Sequence, residues 1–459
     1  MRSACSSPRL SDASPVNLFG PSLMPWPDNV QRAFPVAIGA IGLGVAALPI
    51  AATAVAAGVV RGRGPSARAL ALGAAGTVVA VTAGRIVRRR FVRTLRDGAR
   101  ELDPGFRQAP GSELVSTGPG SLVGPQDVGR EGARYVGTAT NGDDVTFVTG
   151  ESPVAAPIRV FVGLDAAESI EQRVGLAIAE LRRTGAFDRS CLLIQSPAGT
   201  GYANSTPVDV VELLTRGDCA SVAVGYGLLP SFLSLNRVEI ARRTQSALLE
   251  AIGQECSRRE RVPRILLYGE SLGAKVQQAA LPSGVADLDR LGIDAAVWVG
   301  TPGGRDYDHV HRMFDSVAVT LDRPEQIDEV TSAKSRPRVW FLEHDGDPVV
   351  RFRPDLMHAR PAWLEADRPR GRGVPEHMSW RPGITWAQVL VDTVYATDVT
   401  PGEFQSSGHD YRADLGAVVT QAFGLALAEG NPTHGWQVRL EQRLRDLEVR
   451  RARLVEGRG

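Results

Sequence analysis

The chain has 459 residues, 43% hydrophobic and 22% charged, which is enough apolar material for a full core and the wrong balance for a disordered or fibrous protein. Its formal net charge of +1 is unevenly spread: residues 1–100 hold thirteen Arg against three Asp, which leaves residues 101–459 about nine charges negative. A nucleic-acid binder needs a basic face on its folded part, so the large C-terminal region is not expected to be one.

Residues 1–32 read as a tail expected to be disordered. Ala33 to Val60 then runs 28 positions without a charge, and an apolar helix needs about 20 residues to cross a hydrocarbon core of roughly 30 Å. A second uncharged stretch, Ala69–Gly84, is shorter and spans only if Ile86 and Val87 join it while Arg85 snorkels to the headgroups. Residues 33–100 are therefore expected to form a transmembrane segment of one or two spans. Arg85, Arg88, Arg89, Arg90, Arg93, Arg96 and Arg100 follow the second stretch. By the positive-inside rule they place the C-terminal part on the cytoplasmic face with either count. The expected location is the cell membrane, with the catalytic region toward the cytoplasm.

Residues 101–150, rich in Gly, Pro and Ser, read as a connector ending in a short strand at Asp144–Gly150. Beyond them the pattern becomes regular. Apolar runs at Ile158–Leu164, Cys191–Pro197, Ser221–Gly227, Arg264–Gly269, Ala295–Gly300 and Arg338–His344 alternate with helical patterns from Ile170, across Val238–Ile252 and from about Ala274. Strands that are apolar throughout, separated by amphipathic helices, predict a mostly parallel sheet covered on both faces: an α/β, three-layer domain over residues 151–430. The tail, 431–459, is a charged helix whose Leu440, Leu444, Leu447 and Leu454 form one stripe suited to packing on the domain, two heptads being too few to specify a coiled coil. The four cysteines, Cys5, Cys191, Cys219 and Cys256, lack metal-ligand spacing and read as reduced thiols; no metal or cofactor is expected.

The stretch "RILLYGESLGAKVQ" carries the chemistry. A strand running into G-E-S-L-G and then a helix is the setting of a nucleophile elbow, in which Ser271 sits on a sharp strained turn and Gly269 and Gly273 remove side chains that would collide. Such a serine needs a base and the base an orienting acid, and in this fold they follow in the order Ser, Asp or Glu, His. "VWFLEHDGDPVV" ends a strand in Asp345 and Asp347; Asp347 is preferred, with Asp345 as the alternative. Of His358, His377, His409 and His434, His409 lies in a small-residue loop directly before a helical pattern, the position suited to the base.

An oxyanion needs two preorganised donors. One is expected from the Leu272 amide and the other within Ala198–Gly201 near Thr200, unless that loop is an ordinary strand-to-helix turn. Apolar residues after the third run, Tyr226, Leu228, Leu229 and Phe232, are candidates to contact an acyl chain. The Arg/Pro/Trp-rich insertion after Asp347 is a candidate cap.

These separated motifs, with "PAGTGYANS", "AVWVGTPGG", "EHDGDPVVRF", "RPAWL" and "GHDYR", resemble an actinobacterial family of membrane-associated α/β-hydrolases. In that family an N-terminal multi-span segment, longer than the two stretches here, precedes a G-E-S-L-G domain. The resemblance covers roughly Gly150–Gln421. It implies Ser271 as nucleophile, Asp347 as acid and His409 as base, and implies little about substrate. The expectation is a membrane-tethered serine hydrolase acting on acyl or lipid esters. An acyltransferase with the same triad and a non-catalytic scaffold are the alternatives, and the oligomeric state is open.

Overall fold

The computed structural model describes residues 21–24, 97–228, 238–333, 337–365, 367–396, 400–404, 407–427 and 435–458. The tail apart from 21–24, both uncharged stretches, Cys5, Leu229, Phe232 and His434 lie outside the described residues. Among the described residues no helix is long and apolar enough to cross a membrane.

Seven strands form one sheet: β1 (Ile158–Val162), β2 (Cys191–Ser196), β3 (Cys219–Val224), β4 (Arg264–Glu270), β5 (Ile293–Val299), β6 (Ala318–Leu321) and β7 (Val339–Leu342). Their order is β1-β3-β2-β4-β5-β7-β6 and every pairing is parallel. β1, β2, β3 and β7 are buried at every residue, as continuous apolar runs covered on both faces require. A parallel sheet brings all its C-terminal ends to one rim, and central β4 delivers Ser271 there. β6 has no counterpart in the sequence reading: it is four residues long at the sheet edge, and Val-Thr alone is a faint strand signal.

The supposed connector is part of the body. It holds a helical segment, Pro125–Val136, kinked at Gly129 where φ is +64°, and a helix, Gly142–Thr149, where a strand had been expected. The β-branched "DVTFVT" was the misleading cue; the caps decide. The Asn141 side chain accepts from Asp144 N (3.0 Å), the Asp144 carboxylate accepts from Asn141 N (3.1 Å), and Gly150 closes the helix at φ +72°. Asp144 also pairs with Arg443 (3.0 Å) and Arg450 (2.9 Å) of the C-terminal helix Trp436–Val455, which buries Trp436, Leu440, Leu444 and Leu447. The leucine stripe thus packs on the domain.

A buried ionic knot joins these outer helices to the sheet. Arg159 on β1, with a fully buried side chain, donates to Glu212 (2.5 and 2.8 Å) and Asp209 (2.8 Å) on helix Ser205–Leu214 and to the Tyr135 carbonyl (2.9 Å); Arg451 reaches Asp209 from the C-terminal helix.

The insertion after β7 builds a small apolar cluster of its own from Leu356, Trp363, Leu364, Val374, Met378 and Val389, joined by Leu23. Residues 21–24 are pinned there: the Leu23 and Met24 amides donate to the two Asp392 carboxylate oxygens at 3.0 and 3.4 Å.

Candidate active site

Ser271 follows β4 with φ +53° and ψ −124°, a conformation that costs a non-glycine residue about 1–3 kcal/mol. Its amide donates to Val299 O (2.8 Å), which extends the β4–β5 pairing through the turn. The flanking glycines are sterically required. A Cβ at Gly273 would lie 2.1 Å from Ser196 O, and one at Gly269 would lie 2.8 Å from the Ala274 backbone. Leu272 is the first residue of the helix Leu272–Ala279, so its amide has no intrahelical acceptor and is free to serve an anion at the turn.

Asp347 and His409, the residues expected as acid and base, come together. His409 Nδ1 lies 2.6 Å from Asp347 Oδ2, both side chains buried, while His409 Nε2 has no partner among the described residues. Asp347 is over-determined: the Tyr411 hydroxyl donates to Oδ2 (2.6 Å) and the Val349 amide to Oδ1 (2.8 Å). The ring rests against Gly300 after β5, where a Cβ would meet His409 Cε1 at 2.6 Å. Asp345 is instead paired with Arg351 (2.6 Å), and His358 and His377 are exposed.

Ser271 and His409 share the walls of a cavity of about 160 Å³ with Ser196, Ala198, Asn204 and Glu270. They make no hydrogen bond to each other here; His409 Nε2 is left to accept one. Burial, the largest influence, disfavours charge on His409. The Asp347 carboxylate nonetheless outweighs it, with help from Glu270 and Asp410, and lifts the imidazole above its ordinary 6.5.

Thr200 is not among the cavity walls, although Ala198 of the same loop is; the Thr200 hydroxyl accepts from Tyr202 N (3.2 Å), and the Ala198 amide donates to Tyr202 O (2.7 Å). Tyr226 and Leu228 are buried and do not line the cavity. Tyr226 packs with Ala241, Leu272 and Val276, supporting the elbow from behind. The described part of the insertion contributes no wall to this cavity.

Sequence reasoning missed Glu270, whose Oε2 accepts from Tyr268 Oη (2.7 Å) and Asn204 Nδ2 (2.6 Å) at the cavity wall. The signal was present, since residues two apart on a strand share a face. It also missed the support behind the acid. Tyr411 stacks on buried His344 (4.0 Å), whose Nε2 lies 2.7 Å from Asp414 Oδ2, and Arg372 holds Asp414 at 2.8 Å. Cys191 and Cys219 are free and buried and Cys256 is free and half-buried, as thiols without partners should be. Among the described residues no group of three or more His, Cys, Asp or Glu is placed to hold a metal ion.

A family profile described as "Alpha/beta-hydrolase family" matches residues 158–426, more than half of the chain. The chain belongs to the α/β-hydrolase family. No curated protein sequence matches it. A solved acetylxylan esterase structure aligns over 35% of this chain and 85% of its own at 15% identity with a TM-score of 0.23, too slight a likeness to carry an argument. For an α/β-hydrolase, the serine turn on β4, the aspartate after β7 and the histidine before helix Arg412–Ala422 follow the chain order of the fold.

Proposed function

We propose that this α/β-hydrolase is a membrane-tethered serine esterase that works through an acyl-enzyme. The observation that carries the reading is the His409 ring, anchored at Nδ1 by Asp347 with Nε2 unpartnered, on the same cavity as Ser271. The Ser271 hydroxyl attacks the ester carbonyl, its proton passes to His409 Nε2, and that proton then leaves with the alcohol. A water activated by the same imidazole releases the acid. Asp347 holds the tautomer with Nδ1–H toward the carboxylate and offsets the imidazolium charge. The Leu272 amide is one oxyanion donor; no residue of the Ala198–Gly201 loop is assigned as the second. The membrane segment and its arginines favour a lipid or acyl ester met at the cytoplasmic surface, an argument from location.

The test is turnover of short- and long-chain p-nitrophenyl esters by the full-length protein in nanodiscs, with and without glycerol. Acid release with little transfer is expected. Dominant glycerol ester formation makes it an acyltransferase, and no turnover of any ester refutes the reading.

The charge balance around His409 sets the pH profile. The imidazole must be neutral to accept the serine proton, so activity falls as pH drops through its raised pKa, and the acid limb of kcat/KM should have its midpoint above 6.5. Glu270→Gln removes one negative charge that favours the imidazolium, so that midpoint should move to lower pH. A midpoint that stays put or rises denies Glu270 this influence.

A further inference from the structure

Toward β6 from the catalytic acid lies a second and larger cavity, about 570 Å³, within the range of roughly 300–1,000 Å³ in which small-molecule sites fall. It shares no wall residue with the Ser271 cavity, yet the loop after β7 touches both neighbourhoods: Glu343 and Asp345 line this one, and Asp347 holds His409, a wall of the other. Glu343 is 1% exposed. Its Oε2 accepts the Tyr307 hydroxyl and lies 3.4 Å from His311 Nε2, while Oε1 has no partner among the described residues. A buried carboxylate oxygen left unsatisfied is costly, so a donor that reaches it as the wall opens is rewarded.

The rest of the wall says what kind of donor. Carboxylates and guanidinium groups share this wall, Asp308, Asp345 and Asp355 with Arg351, Arg353 and Arg360 among them. Most are already matched. Arg353 pairs with Asp308 (2.7 Å) and Asp355 (3.1 Å), Arg351 pairs with Asp345 (2.6 Å), and the two Asp322 oxygens accept the Asp345 and Arg372 amides at 2.7 and 2.8 Å. A cation entering to reach Glu343 would face the arginines, and no three acids converge to hold a metal ion among the described residues. An anion attracted by the arginines would face a buried carboxylate. What suits intermixed fixed donors and acceptors of nearly balanced charge is a neutral group whose hydroxyls both donate and accept.

We propose that this cavity binds a neutral polyhydroxylated ligand, a sugar or the sugar headgroup of a lipid, with one of its hydroxyls donating to Glu343 Oε1. The site does not depend on Ser271 chemistry. Its place on the loop that carries Asp347 makes it an accessory site for the polyol portion of a ligand.

Saturation-transfer NMR on the full-length protein in phosphatidylcholine nanodiscs tests it. The probes are D-glucose, trehalose and a glycolipid added to the discs, with putrescine and inorganic phosphate as charged controls. Sugar binding with Kd near ~1 mM is expected in the native protein and equally in Ser271→Ala. It should weaken about tenfold, the loss of one hydrogen bond to a charged group, in Glu343→Leu, and several-fold in Arg360→Ala at the exposed rim. Transfer from the free sugars points to a soluble ligand; transfer from the glycolipid alone points to a headgroup. The proposal is overturned by no transfer from any sugar, by putrescine or phosphate binding in their place, or by sugar affinity unchanged in the variants. Arg360→Ala alone decides if Glu343→Leu does not fold.

Discussion

Ser271→Ala is expected to abolish labelling by a fluorophosphonate and to lower kcat on any ester that the native protein turns over by about 10⁴–10⁶. His409→Ala should cost about as much, and the double variant little more, because groups that act as one unit are not additive. The structure explains why the loss should be so large. The serine hydroxyl is intrinsically weak, and under the proposed function its surroundings activate it. A strained turn presents it. The imidazole beside it has its other nitrogen fixed on a carboxylate that accepts two further hydrogen bonds. An equal adduct on Ser271→Ala would move the nucleophile elsewhere, and absence of any adduct on the native protein would leave the fold without its chemistry.

Arg159→Met is expected to destabilise the folded body by about 3–5 kcal/mol, read as a shift of the urea midpoint at constant slope. The methionine fills much of the volume but leaves Glu212 and Asp209, both essentially unexposed, without the guanidinium that holds them. Arg451 still reaches Asp209, so Glu212 bears most of the cost. Arg100→Met is the matching control. Its pair with Asp165 is also short, at 2.6 Å, but both side chains are more than a third exposed, and water and salt reduce its contribution to about 0–1 kcal/mol. Similar losses in the two variants would mean that burial does not set the strength of these pairs here.

What could be read from the sequence divides along physical lines. The parallel strands were legible because burial on both faces demands unbroken apolar runs, and the elbow because its turn demands glycine on both sides. Asp347 and His409 were legible because chain order in this fold is fixed. Segments whose state depends on tertiary partners were not. "DVTFVT" looks like a strand until Asn141 and Asp144 cap it as a helix. The Gly/Pro-rich stretch before it hid a helix interrupted at Gly129. Tyr226 shows that an apolar residue near a site reads the same whether it meets substrate or braces the helix beneath Ser271. Thr200 illustrates a related limit: a loop's composition says it can turn but not where its amides point.

Residues 21–24 are clasped by Asp392 on the folded body, and Arg100, at the far end of the intervening chain, is tied to the same body through Asp165. Two points far apart in sequence are thus held on one body, so Asp392→Ala would release only the first of them.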